Sequence, residues 1–182
     1  MALNTIDTVT VKKELPIFTV KLPELDVSHV IEEYKNLYPE NYNKELPNAP
    51  VRSSWRSNMW AMDYPKLKSF VSIVTKCCET VGPDYFHMRE DTNFECNNLW
   101  MMGYIIGDYA KPHNHFPNDL SCVYYAKVDK DSAPIIFEGD VEIKPVNNLL
   151  IIFPSLLLHE VPLTNGQRTA ISLNFRANKP HT

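Results

Sequence analysis

The spacing of apolar residues changes near residue 92, from a helical repeat before it to short alternating runs after it. Leu25–Leu37 carries apolar side chains at helical spacing, and Asp26 or Ser28 is placed to cap its first turn. Tyr64–Val81 carries the longer apolar face, formed by Leu67, Phe70, Val71, Val74, Cys77 and Cys78. We therefore predict two helices in the first half of the chain.

The second helix has recognisable boundary signals. Pro65 suits its first turn, and Gly82-Pro83 predicts its end. The other segments of the first half lack a helical repeat: edge strands are predicted over Thr10–Leu22, a loop over Pro39–Pro50 and a partly extended stretch over Val51–Met62.

The second half consists of short apolar runs separated by turn residues. We predict strands at Phe94–Ile106, His113–His115, Ser121–Val128, Ala133–Phe137, Val141–Ile143, Leu149–Phe153, His159–Val161 and Thr169–Arg176. Helices followed by about eight short antiparallel strands predict an α+β fold, a double-stranded β-helix (jelly roll) with N-terminal helices packed on one sheet. The expected organisation is one domain over 1–182, with supporting elements in 1–92 and the jelly-roll core in 93–178.

Composition and charge narrow the functional classes. The chain has 182 residues, 44% hydrophobic residues and a net charge of −4, with no extended basic run. This argues for a globular protein and against a nucleic-acid partner. No signal peptide and no membrane-length apolar run is recognisable, so we expect a cytoplasmic protein, in the host cytoplasm if it is encoded by a phage. The four cysteines lack a C-x-x-C spacing and are expected to be free thiols.

Three histidines form the main candidate site. His113 and His115 are one residue apart, and on an extended segment they project from the same face. His159 follows 46 positions later, after another apolar strand. The three therefore suit one face of a metal ion. The other histidines, His29, His87 and His181, lack this context and are interpreted as surface or packing residues.

The second ligand position has an alternative. Non-haem iron sites that activate dioxygen commonly use two histidines and one carboxylate. Asp108 or Asp119 supplies such a carboxylate if the local loop folds back, although the spacing favours His115. Three imidazoles leave the ion with its full charge of +2, whereas one carboxylate reduces the charge to +1.

Arg168 is the candidate anion-binding residue. Its planar guanidinium matches a carboxylate in a bidentate manner. If Arg168 faces the barrel interior, Ser172 and Asn174 share that face by the strand period of two and make it polar. The alternative is an edge arginine paired with Glu142 or Glu160.

Aromatic residues flank the histidines. Tyr104 and Tyr125 are candidates for hydrogen bonds to a co-substrate, or else ordinary core residues. Trp100, Tyr109 and Arg176 are expected near the mouth of a substrate pocket. The substrate is expected to be a small molecule or peptide, and a homodimer is compatible with the sequence.

Four segments together resemble the iron(II)/2-oxoglutarate-dependent dioxygenase superfamily, in particular a group of small oxygenases from bacteria and bacteriophages. They are W-M-M-G-Y-I-I-G-D-Y-A-K-P-H-N-H, L-S-C-V-Y-Y, F-P-S-L-L-L-H-E-V and R-T-A-I-S-L-N-F, within residues 98–176. The resemblance implies hydroxylation of a substrate, with 2-oxoglutarate converted to succinate and CO₂. It departs from the superfamily at His115, where Asp or Glu is usual.

The resemblance also implies roles for individual residues. His113, His115 and His159 correspond to the Fe(II) ligands, and Arg168 to the residue that binds the distal carboxylate of 2-oxoglutarate. The C-V-Y-Y segment is similar to C-I-Y-Y of prolyl hydroxylases, where the second tyrosine binds 2-oxoglutarate, and this points to Tyr125 instead of Tyr124. Two competing hypotheses are a cupin-like three-histidine metalloprotein that does not use 2-oxoglutarate and a non-enzymatic jelly-roll module.

Overall fold

The computed structural model describes residues 14–23, 25, 27–37, 51–57, 65–86 and 92–178. The predicted loop at Pro39–Pro50, the candidate cap Asp26, and His87 and His181 lie outside these residues, as do residues 10–13 of the predicted edge strands and 58–62 of the predicted extended stretch. The described residues include two α-helices, α1 (Ser28–Leu37) and α2 (Lys68–Phe86), and a 3-10 turn at Pro65–Leu67 precedes α2. None of the described helices is both long and apolar enough to cross a membrane.

Eleven strands are present among the described residues. They are β1 (Phe18–Lys21), β2 (Val51–Arg52), β3 (Trp55–Arg56), β4 (Asn93–Tyr104), β5 (Tyr109–His113), β6 (Leu120–Val128), β7 (Ile135–Phe137), β8 (Val141–Ile143), β9 (Leu149–Pro154), β10 (His159–Val161) and β11 (Arg168–Asn178). Seven of the eight predicted segments correspond to β4 and β6–β11, whereas the segment predicted at His113–His115 overlaps β5 only at His113.

The strands form two antiparallel sheets. One has six strands in the order β1-β9-β6-β11-β4-β3, and the other has five in the order β2-β5-β10-β7-β8. The eight core strands divide equally between them, which is the double-stranded β-helix predicted from the sequence. The three short N-terminal strands β1, β2 and β3 extend the edges of both sheets.

Alternation along the strands of the larger sheet separates two apolar layers. On β11, Ile171, Leu173 and Phe175 belong to the cluster that also contains buried residues of both helices. Ala170, from the opposite face of the same strand, belongs to the cluster between the two sheets. The helices thus cover the outer face of the larger sheet, as predicted, and leave its inner face to line the barrel.

The predicted end of the second helix was wrong. The helix α2 continues through Gly82-Pro83 to Phe86. Pro83 lies in the last turn, so the backbone hydrogen bond that its missing N–H removes is close to the end of the helix. Gly82 is buried, and a Cβ atom there would lie 2.5 Å from Cε2 of Phe94 on β4. Gly82 therefore allows α2 to pack closely on the sheet and does not end the helix.

The cysteines are free, as predicted. Cys78, Cys96 and Cys122 are buried and Cys77 is half-buried. Cys122 on β6 packs against Cys78 on α2, with 3.6 Å between the sulfur atoms. Both belong to the core beneath the helices and fill space as small apolar side chains.

Candidate metal centre

His113 and His159 are brought together by strand pairing. Antiparallel pairing of β5 with β10 places the two residues directly opposite each other, and their ring centroids are 4.4 Å apart. The ring of His115 lies 5.2 Å from that of His113 and 5.0 Å from that of His159. One potential ligand atom of each residue lies within 4.8 Å of the other two, which is close enough for all three to bind one ion.

His115 reaches this cluster by a different route from the one predicted. The strand β5 ends at His113, so His115 lies in the following loop and strand alternation does not orient it. Instead its backbone N–H donates to the carbonyl of Ser155 at 2.8 Å. Its own carbonyl accepts from the backbone N–H of Asn118 at 3.1 Å and from Nδ2 of Asn118 at 2.9 Å. The Asn118 side chain is itself held by Asn97, whose Nδ2 donates to Oδ1 at 2.9 Å.

Two of the imidazoles are oriented by backbone carbonyls. Nδ1 of His113 lies 2.7 Å from the carbonyl oxygen of Lys111, and Nδ1 of His159 lies 3.1 Å from that of Leu157. A carbonyl only accepts hydrogen bonds, so each Nδ1 carries the proton. The lone pair of each Nε2 is consequently free to bind a metal ion, the usual arrangement for a ligating histidine.

The histidines are held in their neutral form. Burial, reinforced by His159 and His113, lowers the pKa of His115 to about 3. Burial and His113 lower the pKa of His159 to about 4, and burial also lowers the pKa of His113. All three are therefore unprotonated near pH 7 and can bind a cation without first releasing a proton.

Neither alternative carboxylate belongs to this cluster. Oδ2 of Asp108 accepts from the backbone N–H of Ile105 at 2.9 Å, and its Oδ1 lies 3.8 Å from Nε of Arg52. Oδ2 of Asp119 accepts from the backbone N–H of Ala177 at 2.9 Å. Both carboxylates accept backbone hydrogen bonds instead, and the metal-competent group found among the described residues consists of the three histidines.

The histidines open onto a cavity of about 440 Å³ between the two sheets. Its walls are mainly aliphatic and aromatic, with a few polar groups, as is usual for small-molecule sites. It is lined by Val51, Arg56, Trp100, Met102, Tyr104, Ala110, His113, Asn114, His115, Val123, Tyr125, Ile135, His159, Val161, Arg168, Ala170 and Ser172.

Arg168 is a buried cation in this cavity and is only 4% exposed. Its Nη1 donates to the carbonyl of Ala133 at 2.8 Å, while its buried Nε has no hydrogen-bond partner. The guanidinium carbon lies 4.5 Å from the ring centroid of Tyr104 and 5.7 Å from that of Tyr125. Within the described part of the chain no carboxylate lies within 4.0 Å of it, so the predicted alternative of pairing with Glu142 or Glu160 was wrong.

Strand alternation distinguishes the two adjacent tyrosines of β6. Tyr125 lines the cavity, on the side that the resemblance to prolyl hydroxylases implies. Tyr124 faces the helices, where its ring lies 5.1 Å from that of Phe70 and its hydroxyl donates to Oδ1 of Asn148 at 2.8 Å. Burial raises the pKa of Tyr104 and of Tyr125. Both cavity hydroxyls therefore remain protonated and can donate hydrogen bonds to an anion.

The remaining predicted site residues divide into those that line the cavity and those that do not. Trp100 and Ser172 line the cavity as expected. Asn174 is buried outside the lining and accepts from Oγ of Ser121 at 2.8 Å. Tyr109 and Arg176 also lie outside the lining, and Arg176 is exposed opposite Glu95. For Arg176 the reason is that β11 extends beyond the cavity, so sharing a face with Ser172 does not bring it to the site.

Arg56 is a cavity residue that the sequence reasoning missed. It lies on β3 opposite Met102, and its guanidinium carbon is 5.8 Å from the ring of Trp100. The neighbouring Trp55 is buried in the core beneath the helices. Strand alternation was the signal that could have predicted this position. Neighbouring side chains of a strand point to opposite faces, so a core-facing Trp55 directs Arg56 toward the inner face of the sheet.

Comparisons of the chain with known proteins give a match at the level of structure. Neither a protein-family model nor a curated protein matches the sequence. A Pseudomonas putida prolyl-4-hydroxylase superposes with a TM-score of 0.63 at 14% identity, covering 90% of this chain and 93% of that one. A viral collagen prolyl hydroxylase from Paramecium bursaria Chlorella virus-1, solved with 2-oxoglutarate, gives 0.61 at 18% identity, with 89% and 96% covered.

A prolyl hydroxylase from Trichoplax adhaerens, solved with a hypoxia-inducible-factor peptide, gives a TM-score of 0.64 at 16% identity and covers 89% of this chain and 83% of that one. The chain thus has the fold of the iron(II)/2-oxoglutarate prolyl hydroxylases over about nine-tenths of its length. At these identities the match concerns the fold alone, and any activity has to be argued from the cavity.

Proposed function

We propose that this protein is an Fe(II)- and 2-oxoglutarate-dependent oxygenase that hydroxylates a small-molecule or peptide substrate and releases succinate and CO₂. The observation that carries the proposal is the composition of one cavity. Three neutral imidazoles converge there, and the same walls hold a buried arginine with an unsatisfied N–H. The first feature suits a divalent metal ion, and the second suits an anion bound beside it.

The donor set fits iron. His113, His115 and His159 approach from one side, which leaves the remaining coordination positions open toward the cavity. Fe(II), when bound, supplies the oxidative chemistry, and the chain supplies its position and surroundings. Because the three imidazoles are neutral, the site carries one more positive charge than a site with one carboxylate ligand. A dianionic co-substrate compensates that charge.

Arg168 fits the distal carboxylate of 2-oxoglutarate. A buried guanidinium without a counter-ion is costly, and a bidentate carboxylate removes that cost. The free Nε of Arg168 supplies a donor for such a pair. Tyr104 and Tyr125 lie against the guanidinium and keep their protons, so they hold the arginine in place and can donate to the same carboxylate. The apolar remainder of the cavity excludes water from the reacting groups.

The test combines binding with turnover. Mn(II)-loaded protein is titrated with 2-oxoglutarate while the fluorescence of its tryptophans is followed, since Trp100 lines the cavity. Succinate release is then measured with Fe(II), air and ascorbate. We expect saturable binding, and we expect Arg168→Gln to weaken it at least about tenfold, as loss of a charge-assisted hydrogen bond requires. Arg176→Gln, on the same strand but exposed, is the matched control.

The replacement of the usual carboxylate by His115 favours a second candidate, a three-histidine metalloprotein of the cupin type that does not use 2-oxoglutarate. This candidate predicts stoichiometric metal but no binding of 2-oxoglutarate and no effect of Arg168→Gln on metal affinity or turnover. A non-enzymatic module predicts no stoichiometric metal at all. Metal analysis of the purified protein followed by the titration above separates the three possibilities, and absence of 2-oxoglutarate binding contradicts the oxygenase proposal.

A further inference from the structure

The cavity contains a second arginine with a fixed orientation. Arg56 lies on β3, whose pairing with β4 sets it opposite Met102. Trp55, its neighbour, is 2% exposed and packs beneath the helices, so rotation of β3 is prevented and Arg56 is directed into the cavity. Its guanidinium lies over Trp100, with 5.8 Å between the guanidinium carbon and the ring centroid.

The described residues provide no carboxylate partner for Arg56. In the described segments no carboxylate lies within 4.0 Å of its guanidinium. The described residues that line the cavity include two arginines and neither Asp nor Glu. Burial also lowers the pKa of Arg56, although an arginine remains charged near neutral pH. A partly buried guanidinium of this kind is stabilised by an anion that enters from outside.

Arg56 and Arg168 occupy different parts of the cavity. The larger sheet orders its strands β11-β4-β3, so two strand spacings separate the residues. That corresponds to roughly 10 Å between their backbones. Arg168 lies against Tyr104 and Tyr125, whereas Arg56 lies against Trp100, whose ring is 5.4 Å from that of His115. Arg56 is therefore placed to act on a molecule at the histidine side, beside and not within the site of Arg168.

We infer that the substrate is a small organic acid whose carboxylate or phosphate group is bound by Arg56, with Trp100 packed against the adjoining part of the molecule. The inference rests on the proposed function, in which 2-oxoglutarate pairs with the metal and Arg168. The two negative charges of 2-oxoglutarate offset the two positive charges of a metal ion held by three neutral histidines. The positive charges of Arg56 and Arg168 then remain in the cavity. Such a cavity favours an anionic second ligand over a neutral one of the same shape.

The experiment compares ligands that differ only in charge. Protein loaded with Mn(II) and 2-oxoglutarate is titrated with phenylacetate and phenylacetamide, with N-acetylproline and its amide, and with isovalerate and isovaleramide. Phenyl phosphate is added as a further probe. Tighter binding of phenyl phosphate than of phenylacetate indicates phosphate recognition, and the reverse order indicates carboxylate recognition. The variants are Arg56→Gln, Arg56→Lys and the exposed control Arg176→Gln.

We expect at least one acid to bind the wild-type protein about tenfold or more tightly than its amide. Arg56→Gln should abolish that preference, Arg56→Lys should retain part of it, and Arg176→Gln should leave it unchanged. The affinity for 2-oxoglutarate should change less than about threefold in Arg56→Gln, and the far-ultraviolet circular dichroism spectrum should be unaltered.

Three results would overturn the inference. The first is that acids and amides bind equally in every pair. The second is an acid preference that survives Arg56→Gln. The third is loss of 2-oxoglutarate binding in Arg56→Gln, which would assign Arg56 to the co-substrate site. In each of these the oxygenase proposal stands, because wild-type protein still binds 2-oxoglutarate. If wild-type protein does not bind 2-oxoglutarate, the proposed function fails and the charge argument fails with it.

Discussion

His113 and His159 are direct cross-strand partners on β5 and β10, with ring centroids 4.4 Å apart and both Nδ1 atoms directed at backbone carbonyls. Their geometry is thus fixed by sheet hydrogen bonds and does not depend on a bound ion. His115, in contrast, is held by contacts within and between loops. This division predicts different responses to substitution at the three positions.

Substitution of His113 or His159 by Ala is expected to abolish stoichiometric metal binding, because two imidazoles remain and one of them lies on a loop. His115→Asp is expected to retain metal, since it recreates the common set of two histidines and one carboxylate. Metal content after dialysis and the absorption spectrum of Co(II)-substituted protein provide the measurements. Equal metal content in wild-type protein and His159→Ala would contradict the assigned site. His29→Ala, on the exposed side of α1, is the control.

Asn118 is expected to act as a positioning residue for His115. Its side chain donates to the His115 carbonyl at 2.9 Å, and Asn118→Ala removes this hydrogen bond together with the support from Asn97. We expect metal affinity to fall about tenfold, at the lower end of the effects seen for groups that orient ligands. The Co(II) spectrum should change while the melting temperature shifts by only a few degrees.

A purely structural role for Asn118 would give a different result. The melting temperature would then fall while the spectrum of the metal-loaded protein stayed the same. Asn178→Ala is the matched control, because it removes an exposed side-chain hydrogen bond, to Glu95 on the same sheet, far along β11 from the histidines.

The depressed histidine pKa values predict the dependence of stability on pH. Burial lowers the pKa of His115 to about 3 and that of His159 to about 4, from an ordinary value of 6.5. The unfolded chain binds protons at these residues as pH falls below 6.5, whereas the folded protein does not. The contribution of these histidines to the free energy of unfolding is therefore fully present above pH 6.5. It is lost progressively as pH falls toward 4, and the loss reaches about 1–2 kcal/mol per histidine at pH 5.

Urea unfolding of metal-free protein at pH 7.5 and pH 5 measures this dependence. The double variant His115→Asn, His159→Asn should show a smaller loss of unfolding free energy between the two pH values. Metal affinity of the folded wild-type protein should change little between pH 7.5 and pH 6 on account of His115 and His159, because both imidazoles are already neutral over this range. Equal pH dependence in wild type and the double variant would show that burial does not lower the pKa of His115 and His159.

Gly82 is predicted to be intolerant of a side chain. In an ordinary helix, Gly→Ala stabilises by about 1 kcal/mol. Here the added Cβ would lie 2.5 Å from Cε2 of Phe94, which is itself only 5% exposed and has little room to move. We expect net destabilisation of about 1–2 kcal/mol from overpacking. Chemical denaturation measures it, and Ser72→Ala at an exposed position of the same helix should be neutral or slightly stabilising.

Local periodicity in the sequence was sufficient to predict much of the fold. Seven of the eight core strands and the helices packed on one sheet follow from which residues alternate or recur at helical spacing. These features depend on neighbours in sequence and on the separation of apolar from polar faces. The end of α2 could not be predicted in this way, because Gly82 reflects contact with Phe94 on another element.

The sequence by itself determined which residue types were available for the site: three histidines of suitable spacing, an arginine at the start of the last strand and tyrosines on flanking strands. Tertiary structure alone decided that His115 joins the cluster from a loop, that Arg168 retains an unpaired Nε and that Arg56 enters the same cavity. The physical reason is that each of these facts depends on contacts between segments far apart in the chain. Local pattern restricts the direction of a side chain but not what it meets.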